Sequence, residues 1–183
     1  MYNAPPAGDA TPDSLPQQQA RTQLRFAMQR QQQTHWAWAA VTASVARYYD
    51  PRATTSQCEL ANWAFNQINC CIDGSSSACN RPYLLAEALQ HLGHLHQQTE
   101  GGISLPALTG EIDAAQPVVV AIRWTQGTER HPVVITGYDD TGPITTIEIN
   151  DPADGDTTVI RYADFPGSYK SGGVWDATCL THS

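Results

Sequence analysis

The chain has 183 residues, enough for one domain with a sizeable core. Ten Lys and Arg against eighteen Asp and Glu leave a net charge of −8 without a basic cluster, which argues against nucleic acid or an anionic membrane surface as partner. No run has the length of a membrane-spanning helix and no charged segment followed by an apolar one opens the chain, so the expected destinations are the cytoplasm, export by a system that needs no signal peptide, or a trimmed chain.

Residues 1–20 are rich in Pro, Ala, Gln, Asp and Gly with no periodicity. Such a composition buries too little surface to offset its ordering entropy, so residues 1–22 read as a tail, a linker or a pro-segment, with the domain at 23–183. Leu24, Phe26 and Met28 are the apolar points by which residues 21–30 would dock on that domain. From Trp36 to Ala46 nearly every position is apolar or small, the mark of a helix buried all round. Thr34 is the candidate N-cap, which puts residue 37 in the first turn, where free N–H groups and the positive end of the dipole would hold a cysteine as thiolate.

Asp50-Pro51 breaks the chain, and Thr55 or Ser56 caps a second helix from Gln57 to about Gln67, with Leu60, Trp63 and Ala64 on one face. A Cys-Cys and Gly-Ser-rich loop follows. Asn80 is read as the cap of a third helix with Pro82 just inside its start and Gly93 at its end. His91, His94 and His96 straddle that end, so they are expected as an exposed cluster rather than a metal site, and no cofactor is expected. Ser104 starts a fourth short helix to about Ala115. Strand patterns then occupy 117–124, 131–138, 144–150, 157–161 and, less regularly, 173–180. Helices first and strands afterwards predict a segregated α+β domain.

Four of the five cysteines, Cys58, Cys70, Cys71 and Cys79, lie close together, which predicts two disulfides and an oxidising destination; reduced cysteines would instead mean the cytoplasm. Zinc is the rival, but paired C-x-x-C hooks are missing. A bond between adjacent cysteines is strained, so Cys58 and Cys79 each take one of Cys70 and Cys71, in an order the sequence leaves open. Cys179 stands alone in the terminal strand.

The stretch Gln31, five residues, position 37, then Trp38-Ala39-Ala40 resembles the papain-like cysteine peptidases, where a glutamine and five residues precede Cys-Trp-Ala at the head of a central helix. A second stretch, Cys79-Asn80-Arg81-Pro82-Tyr83 running to Ala88-Leu89-Gln90, resembles the family's Cys-Asn segment before a helix ending Ala-Leu-Gln. The likeness covers about Gln31 to Asp151 and extends to short bacterial papain-like proteases, among them secreted effectors. It implies a helical lobe with the central buried helix, an antiparallel β-sheet lobe after it, and a cleft between. It implies further that position 37 is the nucleophile position, that His131 is the base, and that Asp151, or alternatively Asn150, orients the base. Gln31 would lend its amide to the oxyanion beside the N–H of residue 37.

Each residue also has a plainer reading. A histidine at a strand start is usually only a polar strand end, an aspartate before proline only a turn, a glutamine among three only solvated, and Trp36 and Trp38 only core. Their order along the chain is what favours chemistry. Two positions depart from the family pattern: His35 stands where asparagine is usual, and Ala37 reads as a nucleophile removed by engineering. The resemblance therefore implies a cysteine endopeptidase with a Cys-His-Asp triad, inactive as written, acting on a protein or peptide and open to an inhibitor or immunity protein. A cysteine amidase or leader peptidase on the same scaffold is the close rival. A natural pseudoenzyme that binds peptide is the alternative from another class, and Cys179 is poorly placed as a substitute nucleophile.

Overall fold

The apolar run folds as helix α1 (Ala37–Tyr49) in a computed structural model that describes residues 20–183. The expected tail lies outside the described residues up to position 19. Every residue of α1 from Ala37 to Ala46 is buried. The two polar residues of that buried stretch are satisfied within the helix, Thr42 donating to the carbonyl of Trp38 and Ser44 to that of Ala40. Thr34 does not cap it: the N-cap is Trp36, with no side-chain cap, and the Thr34 hydroxyl instead accepts from Asn80. Thr34 stands two residues too early, so the first amides of α1 are left free at the helix head.

Helix α2 (Gln57–Phe65) opens with a capping box between Ser56 and Glu59. Helix α3 (Leu85–His91) begins later than the sequence suggests, because Asn80 caps nothing there. Its side chain reaches back to the turn before α1, accepting from the His35 N–H at 3.0 Å and donating to Thr34 at 2.8 Å. Pro82 therefore lies in an extended approach to the helix. Trp36, Trp38, Ala39, Ala43, Leu60, Ala61 and Ala88 form the core of this helical lobe together with Cys70 and Cys79.

Seven antiparallel strands make the other lobe, in the order β2 (Leu95–Glu100), β7 (Gly173–Thr181), β3 (Val118–Trp124), β4 (Arg130–Asp139), β5 (Thr146–Asn150) and β6 (Thr157–Arg161), with β1 (Arg21–Gln23) on β4. The order departs from helices first and strands afterwards only at β1, which precedes α1, and at β2, which comes between α3 and the fourth helix; the last strand lies inside the sheet. Strand β3 is buried on both faces. Val118, Val120 and Ile122 share a cluster with Leu108 and Ile112 of helix α4 (Leu105–Asp113), while Val119 packs with Val41 and Val45 of α1. That division follows the two-residue side-chain period and explains why the stretch reads as an unbroken apolar run. Phe26 and Met28 pack beside Val41 and Val45, so the segment after β1 lies on α1.

The three histidines go separate ways. His91 stacks on Trp63 at 3.7 Å, His94 stacks on Tyr49 and meets the His182 carbonyl, and His96 lies within β2. Strand β2 escaped the sequence reading because it is polar and half-exposed at the sheet edge.

The cysteines pair as Cys58–Cys71 and Cys70–Cys79, leaving Cys179 free and buried. Thiol titration of the unfolded, unreduced protein is expected to find one thiol per chain. Five would remove the oxidised loop and with it the argument for an oxidising destination.

Candidate active site

Between the lobes runs a cleft of about 340 Å³. Ala37 at the head of α1 lines one wall and His131 in β4 lines the other. Trp124, at the end of β3, stacks on the His131 ring at 5.5 Å with 28° between planes, so one ring face is covered by the indole. The far side of the ring is fixed by Asp151, whose Oδ1 lies 2.8 Å from Nε2. That contact leaves Nδ1 as the ring nitrogen not held by Asp151.

Asp151 is 2% exposed and each carboxylate oxygen has two donors. Oδ1 accepts from His131 and from the Ala153 N–H at 2.8 Å; Oδ2 accepts from the Tyr169 hydroxyl at 2.9 Å and from Lys170 at 2.7 Å. Burial alone would raise its pKa. The hydrogen bond and charge of His131, with the Lys170 and Ala153 contacts, reverse that and hold the carboxyl well below the usual carboxylate range. Asn150 points elsewhere, donating to Thr136 and accepting from Thr157. Adjacent strand residues face opposite ways, which separates the two candidates that the sequence left open.

The lowered pKa has a stability consequence. Asp151 binds its proton less tightly in the folded chain than in the unfolded one, so its stabilisation is present above the unfolded value of about 3.9 and fades as pH falls below it. Asp151→Asn is expected to cost on the order of 3 kcal/mol at pH 7, since it leaves the other partners of a buried ionic cluster unmatched. Urea unfolding of both proteins at pH 7 and pH 3 checks this, with the gap between them shrinking at the lower pH.

These walls set a buried carboxylate, an imidazole and a helix head around one space, the layout a thiol hydrolase needs. A family model described as Peptidase_C39 like family matches residues 23–178. The chain belongs to that family. The peptidase domain of Streptococcus ComA, a bi-functional ABC transporter, matches at 19% identity and TM-score 0.56, over 86% of this chain and 99% of that one. A structure from a study of the mite allergens Blo t 1 and Der p 1 matches at 15% identity and TM-score 0.58, over 96% and 75%. Digestive procathepsin L 3 of Tenebrio molitor matches at 12% identity and TM-score 0.56, over 89% and 70%. No curated protein matches. The fold is papain-like α+β, and the family places the chain among cysteine peptidases.

Within this Peptidase_C39-like domain, the glutamine departs from expectation. Gln31 does not line the cleft; its amide donates to the carbonyls of Gln33 and Thr34 at 2.9 Å each. The turn ahead of α1 offers these two carbonyls closer at hand than the cleft. The Gln31 backbone N–H meets the Pro152 carbonyl at 2.7 Å, so this segment is tied directly to the turn that carries Asp151. Buried Gln57 holds the same segment from below, through the Gln32 N–H and the Arg30 carbonyl.

Cys179 also borders the cleft, but burial pushes its thiol up to about 11, so it stays protonated at neutral pH. His35 faces Glu129 across the cleft at 3.5 Å. Sequence reasoning missed Trp124, Tyr169, Lys170 and Asn80. An aromatic ending the strand before the histidine strand was the one available signal, for Trp124. No helix among the described residues is long and apolar enough to cross a membrane.

Proposed function

We propose that this domain is a papain-like cysteine endopeptidase acting on peptide bonds of a protein substrate, inactive as written because position 37 is alanine. The single observation that carries the reading is the His131–Asp151 pair at 2.8 Å, facing the helix head at Ala37 across one cleft. In the active form a cysteine replaces Ala37, its thiolate favoured by the free amides and dipole of α1. His131 takes the thiol proton through Nδ1 and returns it to the leaving amine, while Asp151 orients the ring and stabilises the imidazolium. The N–H of residue 37 stabilises the oxyanion, with Gln31 adding a second donor when its amide leaves one of the two carbonyls.

Tyr83, Leu84, Leu85, Pro132 and Ala177 give the cleft apolar lining suited to a substrate side chain. The substrate is a protein or peptide, and an inhibitor or immunity protein that fills the cleft would restrain the enzyme. The paired cysteines support secretion or export to an oxidising compartment, as for a bacterial effector. An amidase or leader peptidase would use the same groups on a narrower substrate. Ala37 itself favours a second reading, a natural pseudoenzyme that holds peptide in the cleft. Restoration of the nucleophile, Ala37→Cys, followed by assay on a broad peptide library, separates these: cleavage supports the peptidase, and binding without cleavage supports the pseudoenzyme.

A further inference from the structure

The carboxylate that orients His131 is shared with a lysine. Lys170 reaches Asp151 at 2.7 Å and Asp154 at 2.8 Å, and the neighbouring Tyr169 hydroxyl donates to the same Asp151 oxygen. Orienting an imidazole requires one acceptor oxygen, and the Ala153 N–H already steadies that oxygen. A lysine on the other oxygen is therefore surplus to orientation. It also sits at φ +49°, a left-handed conformation that a lysine adopts rarely. The loop bends against its own preference at the residue that delivers the charge.

We infer that Lys170 is a positioning residue that acts through Asp151, offsetting part of the carboxylate's charge and so limiting how strongly His131 holds its proton. The inference rests on the proposed role of His131. A histidine facing an uncompensated buried carboxylate would keep its proton too firmly to pass it to a leaving amine. A lysine bridging two aspartates dilutes that field without breaking the hydrogen bond that sets the ring's orientation. Asp154 has the opposite effect, adding negative charge and drawing Lys170 outward.

Other charged groups line the same cleft. His35 comes from the turn before α1, Glu129 and Arg130 from the β3–β4 end, and Glu87 from α3 across the cleft. Glu129 faces His35, and Asp176 of β7 holds Arg130. Arg30 and Asp156 flank the turn that follows Asp151. None of these pairs with Lys170 or Asp154 through a side-chain ion pair; Asp156 reaches Asp154 only by its backbone N–H on Oδ1 at 3.0 Å, an acceptor that Asp154→Asn keeps.

The test uses the Ala37 protein itself and follows the His131 ring by NMR across pH. In Lys170→Met the ring is expected to titrate about half to one pH unit higher, the size of one partly screened charge at short range. Lys170→Arg should restore the parent titration. Asp154→Asn, which alters a partly exposed carboxylate and leaves the core untouched, should shift the ring lower. A His131 titration unmoved by Lys170→Met, even with a lowered melting temperature, overturns the inference, as does an upward shift in Asp154→Asn. In the Ala37→Cys background, the pH profile of kcat/KM should follow the same shifts. If the ring shifts as expected but Ala37→Cys cleaves nothing, the electrostatic coupling stands and the peptidase reading fails.

Discussion

Ala37→Cys is expected to create a thiol that iodoacetamide alkylates at pH 5–6, where an ordinary cysteine with a pKa of about 8.5 is almost wholly protonated. The reason is local. Position 37 is the first residue of α1, the N-cap Trp36 supplies no side-chain acceptor, and His131 lines the opposite wall. A thiolate there gains the unpaired amides, the dipole and an imidazolium partner at once. Cys179 provides an internal control, because burial pushes it up to about 11 and it should stay unreacted. Cleavage of a peptide substrate is expected to rise at least about 10³-fold over the Ala37 protein, since the proposed triad without a thiol has nothing to attack the scissile carbonyl. His131→Ala in the restored background should remove both the acid-side alkylation and the cleavage. A thiol at position 37 that reacts no faster than a free cysteine would mean that the helix head and His131 are not electrostatically coupled, and the pseudoenzyme reading would then account better for the cleft.

What the sequence made legible was local. Residues Trp36–Ala46 have one chemical character throughout, so a buried helix could be read from them alone, and Ala37 fell in its first turn. The cysteines were readable because four of them lie within 22 positions, and the strain of joining neighbours left only two pairings, of which the structure has Cys58–Cys71 with Cys70–Cys79. Strands β3 and β4 are β-branched and apolar enough to identify themselves. What stayed hidden depends on contacts between distant segments. Asn80 looked like a helix cap because capping is the commonest local use of asparagine, yet its partners are Thr34 and His35, more than forty residues earlier. Lys170 carries no local pattern; its significance exists only where the loop before β7 meets the turn after β5. Strand β7 looked irregular because Trp175 and Asp176 interrupt its alternation, although β2 and β3 flank it on both sides. Gln31 shows the reverse case: a motif match fixed its position in the chain, but side-chain direction was decided by two nearby carbonyls.

Removing the disulfides one at a time is expected to have unequal effects, in the order opposite to loop length. The chain separations are 13 for Cys58–Cys71 and 9 for Cys70–Cys79, so restriction of the unfolded chain predicts about 3 kcal/mol for each, with the longer loop slightly ahead. Burial reverses that order. Cys70 and Cys79 are 2% and 0% exposed and lie in the helical-lobe core with Trp36, whose indole N–H donates to the Cys79 carbonyl at 2.8 Å. Cys71, by contrast, is exposed. The loop between the pairs also packs tightly on that indole: a Cβ at Gly74 would lie 2.7 Å from Trp36 Cη2. The Cys70→Ala/Cys79→Ala pair should therefore lose the chain restriction and leave a void beside Trp36, about 4–5 kcal/mol together, against about 2–3 kcal/mol for Cys58→Ala/Cys71→Ala. Urea midpoints of the two variants measure the difference, and equal losses would show that the buried pair contributes no packing. The site should register it too. Asn80 follows Cys79 directly and holds the Thr34–His35 turn, so a loosened Cys79 frees the head of α1. In the Ala37→Cys background, the Cys70→Ala/Cys79→Ala protein should lose the fast acid-side alkylation of position 37, whereas the Cys58→Ala/Cys71→Ala protein should keep it, because the second bridge ties α2 to the exposed loop and leaves Trp36 and Asn80 where they are.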